Sequence, residues 1–236
     1  ILHNQKKESY CIELVSDSMA IRTYDDSTGF TEFHLSSYQN SLEFSITKMD
    51  TIEKEFALYG LLLENTDPGI CYHSIGVNGA SVPSYLRCEF FEEQLSLIGP
   101  DLIIFSIGIN DAYDTQFTAN KYEKNYDTLI SYFQTVSPKA ALLFTTNNDS
   151  YYKRKYPNKK AEQVRSVMQK LALKYGGGVW DMYGLMGGLG SIKQWEKAGL
   201  AKRDKIHFTK AGYETVGDLL FEALIKSYND YLEQNN

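Results

Sequence analysis

The chain has 236 residues, of which 43% are hydrophobic, 23% charged and 14% aromatic; that composition is globular and excludes a disordered, collagen-like or disulfide-stapled protein. Thirty acidic against 24 basic side chains give a net charge of -6, which repels phosphate backbones and sets nucleic acid aside as a partner. No uninterrupted apolar run approaches the ~18 residues of a membrane span. The strongest, Leu102-Ile103-Ile104-Phe105, is strand-sized.

The chain opens Ile1-Leu2-His3-Asn4 without an initiator Met, as a processed or partial chain does, so compartment is not read from its start. Residues 1–65 carry the period of β structure. Phe30, Glu32 and His34 alternate with Thr31, Phe33 and Leu35; Leu42 to Ile46 alternates again, and Phe56 to Leu63 is a third apolar run. Tyr10 to Leu14 also passes for a strand. Turn-prone clusters, Asp25 to Gly29 and Ser36 to Ser41, separate these runs, so an antiparallel sheet or sandwich piece is expected. Cys11, Cys71 and Cys88 are odd in number and lack CxxC spacing, which leaves no disulfide framework or zinc site and reads as buried free thiols.

From residue 66 to the end the rhythm becomes strand, helix, strand. The expected elements are a strand over Cys71–Val77, a helix from about Pro83 to Leu97, and a strand over Asp101–Ile107 apolar enough to be covered on both faces. They continue with a helix over Asn120–Val136, a strand over Ala140–Thr145 and a helix over Lys159–Tyr175 closed by Gly176-Gly177-Gly178. A short strand at Val179–Asp181 and a last helix over Thr209–Leu232, N-capped by Thr209, complete the series. Alternating units of this kind imply a parallel sheet with helices on both faces, with ligands beyond the carboxyl ends of the strands.

Three blocks stand at those ends. After the first strand comes Ser74-Ile75-Gly76-Val77-Asn78-Gly79, where glycine allows a sharp turn or a close backbone approach to a ligand. After the second comes Gly108-Ile109-Asn110-Asp111, with an amide donor at the same rim and an Asp suited to capping the segment that follows. The third is Asp204-Lys205-Ile206-His207 at the head of the last helix. A carboxylate three residues before a histidine can hold one ring nitrogen while the other faces a nucleophile, the arrangement of acyl transfer. Metal ligation is the competing use, but His3, His34 and His73 show no convergent spacing.

Together these blocks resemble the SGNH/GDSL hydrolase superfamily, whose members carry a Ser in a Gly-Asp-Ser block, an oxyanion Gly, an oxyanion Asn in a GxND block and a DxxH block, in that order. Gly79, Asn110 and the Asp204/His207 pair match the last three over two thirds of the chain. The stretch from Trp180 to Tyr183, and from Met186 through Ser191 to Trp195, is similar to exported bacterial members. In some of those, peptidoglycan O-acetylesterases among them, a β-sandwich is inserted between the Ser and Gly blocks, and residues 1–65 look like the tail of such an insertion. The glycine-rich Met186–Ser191 segment lacks the Gly-Lys-Ser/Thr of a P-loop and reads either as a wall of the active-site cleft beside Trp195 or as a structural loop.

The resemblance implies a flavodoxin-like, three-layer α/β domain over residues 66–236 and a serine esterase. His207 would be the base, Asp204 its orienting partner, and Gly79 and Asn110 the oxyanion donors, with no metal or organic cofactor. It also implies a short acyl, O-acetyl, substrate on a polysaccharide, and a periplasmic, secreted or cell-surface location. An O-acetyltransferase and a non-catalytic carbohydrate-binding protein on a degenerate scaffold are the rival readings. The Ser block has no clear match. Val15-Ser16-Asp17-Ser18-Met19 is the nearest, with Ser16 in place of Gly and no helical period after it. The nucleophile stands upstream of Ile1 or at Ser18, or the protein is degenerate and has none.

Overall fold

The computed structural model describes residues 1–4, 9–25, 29–51 and 55–235, which form two compact units, Ile1–Ser74 and Ile75–Asn236. Asp26 to Thr28, in the middle of the turn expected over Asp25–Gly29, lie outside the described residues.

Among the described residues, the first unit holds six strands: β1 (Leu2–His3), β2 (Tyr10–Leu14), β3 (Ile21–Asp25), β4 (Phe30–His34), β5 (Phe44–Lys48) and β6 (Leu58–Gly60). They make two antiparallel sheets, one ordered β3-β4-β1-β6 and the other β2-β5. Alternation decides the faces: Ile12 and Leu14 of β2 are buried while Glu13 between them is exposed. His3 is buried too, its Nε2 3.0 Å from the Thr31 hydroxyl and its ring stacked on Tyr24, which makes it a packing residue.

The second unit begins with α1 (Val82–Tyr85) and α2 (Phe91–Ser96), followed by β7 (Leu102–Phe105), α3 (Ile109–Tyr113) and α4 (Ala119–Val136). Next come β8 (Ala141–Thr145), a small hairpin of β9 (Tyr151–Tyr152) and β10 (Tyr156–Pro157), α5 (Lys160–Tyr175) and β11 (Gly178–Trp180). The chain closes with α6 (Met182–Met186), α7 (Ile192–Lys197) and α8 (Lys210–Asn235). Strands β11, β8 and β7 form a parallel sheet in that order. One face, through Ile103, Phe105 and Phe144, packs on the α4 stripe Tyr122, Tyr126, Leu129, Ile130 and Phe133 and on Val164, Met168 and Leu171 of α5. The other face, through Leu143 and Trp180, packs on Met182, Ile192, Trp195 and the inner residues Val216, Leu219, Leu220 and Ala223 of α8. This is the expected α/β architecture, helices on both faces of a parallel sheet. No helix among the described residues is long and apolar enough to cross a membrane.

Several elements differ from their sequence-based expectation. Cys71–Val77 is not a strand: among the described residues it has no neighbouring strand to complete its hydrogen bonds, and its side chains lie open, with Tyr72 81% and Val77 71% exposed. The helix expected over Pro83–Leu97 is two short ones. In one straight helix Val82 and Leu95 would point about 140° apart; the break lets both enter the same core. β7 is covered on one face only at its start, because it is an edge strand and Leu102 is 43% exposed. The cysteines are free, but Cys71 and Cys88 are exposed rather than buried. Met186–Ser191 connects α6 to α7, with Gly187 in the left-handed conformation that ends α6 (φ 104°). Thr209 does cap α8: its hydroxyl accepts from Gly212 N at 3.2 Å.

Candidate functional site

The Gly79 loop is a tight turn closed by Ala80 N donating to Val77 O at 3.0 Å, with Gly79 at φ 77°, a conformation open to glycine and costly to a side chain. Among the described residues the Gly79 N–H donates to nothing. Asn110 meets this loop directly, its side-chain amide donating to Ala80 O at 2.8 Å and leaving a second N–H for a ligand. Asp111 does not cap its own segment. Its buried carboxylate accepts from Val82 N at 3.1 Å, at the start of α1, and burial pushes its carboxyl above the usual range against that hydrogen bond.

Asn110 is held at the rim by a strand end of unusual construction. Buried Tyr122 and Tyr126 of α4 both donate to Ile107 O, at 2.6 and 2.7 Å, and burial raises both phenols well above their ordinary value. Gly108 then turns the chain at φ 153°, and a Cβ there would fall on the Tyr122 hydroxyl and within 2.9 Å of Asn147 Oδ1. Helix α3 starts at once, with Asn110 in its first turn.

His207 sits in a loop that begins and ends on hydrogen bonds. Lys202 N donates to His207 O at 2.8 Å, and Ala201 bridges Phe208. Asp204 Oδ1 accepts from the backbone N–H groups of Ile206 and His207, both at 2.9 Å, and its Oδ2 lies 3.0 Å from His207 Nδ1. Partial burial pushes the Asp204 carboxyl up, but the His207 and Ile206 donors outweigh it and hold it below the ordinary carboxylate range. The histidine side chain is 60% exposed, and among the described residues its Nε2 has no partner.

Asn110 and the Gly79 loop, joined at Ala80 O, are thus one contact pair and Asp204 and His207 another, and the segment after β8 ties them together. Asn148 donates to Ile206 O at 3.0 Å and Tyr151 N to Lys205 O at 2.9 Å; on the other side Asn158 donates to Ala112 O at 3.1 Å and Lys153 N to the Tyr113 hydroxyl at 2.8 Å. A depression of about 80 Å³ lined by Ser81, Asn110, Asp111, Phe117 and Thr118 opens beside Asn110. Ser18 is an exposed turn residue of the first unit, after β2, whose partner β5 runs antiparallel. The neighbouring Asp17 is occupied with Ser36 N at 2.7 Å and Met19 N at 3.1 Å.

Sequence reasoning missed Tyr122, Tyr126, Asn147, Asn148 and Asn158. The rule that ligands gather beyond strand ends points to Asn147 and Asn148, which directly follow β8. Among the described residues the buried amide nitrogen of Asn147 has no partner.

A solved peptidoglycan O-acetylesterase superposes on 66% of the chain at 23% identity with a TM-score of 0.62, and the chain spans 46% of that protein's length. A protein from Parabacteroides merdae assigned as a GDSL-like lipase superposes on 61% of the chain and 68% of its own, at 17% identity and a TM-score of 0.51. An acetyl xylan esterase covers 63% of the chain and 78% of its own at 22% identity, with a TM-score of 0.48. No curated protein matches the chain. Residues 57–215, more than half of the chain, match the family model and carry both contact pairs, so the chain belongs to the GDSL-like lipase/acylhydrolase family.

Proposed function

We propose that this protein is a serine esterase that removes short acyl groups, O-acetyl above all, from a carbohydrate. The observation that carries the reading is the Asp204–His207 pair: a carboxylate fixed by two backbone N–H groups holds Nδ1 at 3.0 Å and leaves Nε2 open to solvent. In this mechanism Nε2 takes the proton of a Ser hydroxyl as its oxygen attacks the ester carbonyl. The carbonyl oxygen gains negative charge and is met by the Gly79 N–H and the second Asn110 N–H. Collapse expels the alcohol, which takes the proton from His207, and water repeats the sequence to free the carboxylic acid. The carbohydrate O-acetyl substrate is drawn from a solved neighbour, a peptidoglycan O-acetylesterase.

The nucleophile on this reading stands upstream of Ile1, on a strand beside β7, whose outer edge has no partner among the described residues. The strands of the first unit, residues 1–65, then belong to a β module inserted ahead of the Gly79 block, and the whole acts outside the cytoplasm. The test is fluorophosphonate labelling and acetate release by the full-length gene product. His207→Ala should abolish turnover, and Asn110→Ala should lower it about 10²–10³-fold without unfolding. Labelling at Ser18 would refute the upstream nucleophile; full activity of His207→Ala would refute the mechanism.

A further inference from the structure

The hairpin β9–β10 carries the sequence Tyr151-Tyr152-Lys153-Arg154-Lys155-Tyr156-Pro157, three adjacent cations in a chain of net charge -6. All three are exposed. Its turn is closed by Lys155 N donating to Tyr152 O at 3.1 Å, with Lys153 at φ 50° and Arg154 at φ 61°. Two successive positive φ values favour Asn-Gly at such a turn; this chain places a lysine and an arginine there instead.

The position of the hairpin gives those charges a use. Its base joins the His207 loop through Tyr151 N and Lys205 O, and its tip joins α3 through Lys153 N and the Tyr113 hydroxyl. Tyr113 follows Asn110 by three residues and so shares its side of the helix. Two further ammonium groups, Lys193 and Lys205, lie 5.4 and 5.3 Å from the centre of the Tyr151 ring, and Lys153 lies 5.4 Å from that of Tyr152. The buried Asn158, bonded to Ser150 O and Ala112 O, fixes the hairpin's root. A rigid cationic rim therefore bridges the two contact pairs of the candidate site.

We infer that the acylated glycan is anionic, and that Lys153, Arg154 and Lys155, with Lys193 and Lys205, hold its carboxylate or phosphate groups while the ester reaches His207. This rests on the esterase reading for the ester itself; the anion site stands on the rim alone. A neutral glycan has no use for such a rim, and a small neutral ester should be indifferent to it.

The discriminating variant is the double substitution Lys153→Asn with Arg154→Gly, which removes two charges and suits the turn, so its melting temperature should equal or exceed the parent's. Binding of the full-length protein to polygalacturonate and to dextran is compared at low and at physiological salt. The parent should prefer polygalacturonate by at least about tenfold, lose that preference with salt, and lose it in the double variant. Competition by polyphosphate, more effective than by galacturonate oligomers, would assign phosphate; the reverse order would assign carboxylate. In turnover, O-acetylated polygalacturonate should slow about tenfold or more in the variant while 4-nitrophenyl acetate changes less than twofold. Equal binding of the two polymers, or a variant that keeps the preference, overturns the anionic rim. Polyanion binding that depends on Lys153 and Arg154 in a protein hydrolysing no ester would support the rim and refute the esterase reading.

Discussion

Gly108→Ala is the sharpest structural test of how Asn110 is held. The new methyl would fall on the Tyr122 hydroxyl and within 2.9 Å of Asn147 Oδ1. Tyr122 is buried and cannot move aside without giving up its 2.6 Å hydrogen bond to Ile107 O. An orphaned buried hydroxyl costs about 1–3 kcal/mol. Overpacking adds about 1–3 kcal/mol, and a side chain at φ 153° adds about 1 kcal/mol or more. The sum is about 3–7 kcal/mol, which at about 2–4 °C per kcal/mol for a chain of this size lowers the melting temperature by roughly 6–28 °C. The assay is thermal unfolding of Gly108→Ala, Tyr122→Phe and the double variant. Because Tyr122→Phe deletes the atom the methyl strikes, the double variant should be more stable than Gly108→Ala alone. Losses that add to within about 0.3–0.5 kcal/mol, or a Gly108→Ala variant that melts with the parent, would refute the account.

Asp181 caps α6 by accepting from Gly184 N at 3.2 Å, and it also pairs with Arg165 Nε at 3.0 Å and Thr146 Oγ1 at 2.9 Å. Asp181→Ala should cost about 2 kcal/mol, half from the cap and half from a partly exposed ion pair, seen as a melting temperature lower by about 4–8 °C. Burial raises the Asp181 carboxyl, but Arg165, Thr146 and Gly184 pull it below its ordinary value, so its contribution is present above the unfolded carboxylate range and is lost as pH falls. The deficit of Asp181→Ala should therefore shrink on acidification; a pH-independent deficit would contradict the pairing. Asp111 has the opposite sign. Its folded carboxyl is raised by burial, so ionising it costs stability as pH rises above the unfolded value of 3.8. Asp111→Asn keeps an oxygen for Val82 N, and its melting temperature should gain on the parent's between about pH 4 and 7. Parallel curves would show that Asp111 is not the group desolvated.

The central and C-terminal elements of the second unit were legible because each announces itself locally. α4 and α5 have apolar residues at helical spacing and clear ends, Thr118 accepting from Lys121 N at 3.2 Å before one and Gly176 at φ 67° after the other. The places of Asn110 after β7 and of Asp204 and His207 before α8 agree with the expected element order, whereas Gly79 follows a segment that is not a strand. What stayed hidden depends on partners distant in sequence. Cys71–Val77 has strand composition, but a strand exists only when paired, and sequence alone does not supply the neighbour. Tyr122 and Tyr126 read as helix-face residues; that both hydroxyls reach back 15 and 19 residues to one carbonyl is visible only in the fold. The β9–β10 hairpin was missed because its turn carries Lys-Arg where turn chemistry calls for Asn-Gly.

The bare surfaces of the second unit bear on where the nucleophile stands. Among the described residues β7 is paired on one edge only, and the later half of α8 bears a stripe of Phe221, Leu224, Ile225, Tyr228, Tyr231 and Leu232, spaced three and four apart and exposed. A stripe of that spacing on a helix ordinarily faces a core. A strand beside β7, ending at the same rim as Asn110, would bring a serine to the carboxyl end of the sheet and apolar side chains to cover what is now open. Ile225→Ser distinguishes the two situations. In the chain from Ile1 to Asn236 the side chain is 43% exposed, and its replacement should change stability by no more than about 0.5 kcal/mol. In a protein extended ahead of Ile1 by a strand that pairs with β7, the same substitution should cost about 1.5–3 kcal/mol, the value of an isoleucine taken out of water. Denaturant unfolding of the four proteins measures both differences. An equal, small effect in both backgrounds would mean that nothing upstream covers α8, and the reading that places the nucleophile on such a strand would lose its structural support.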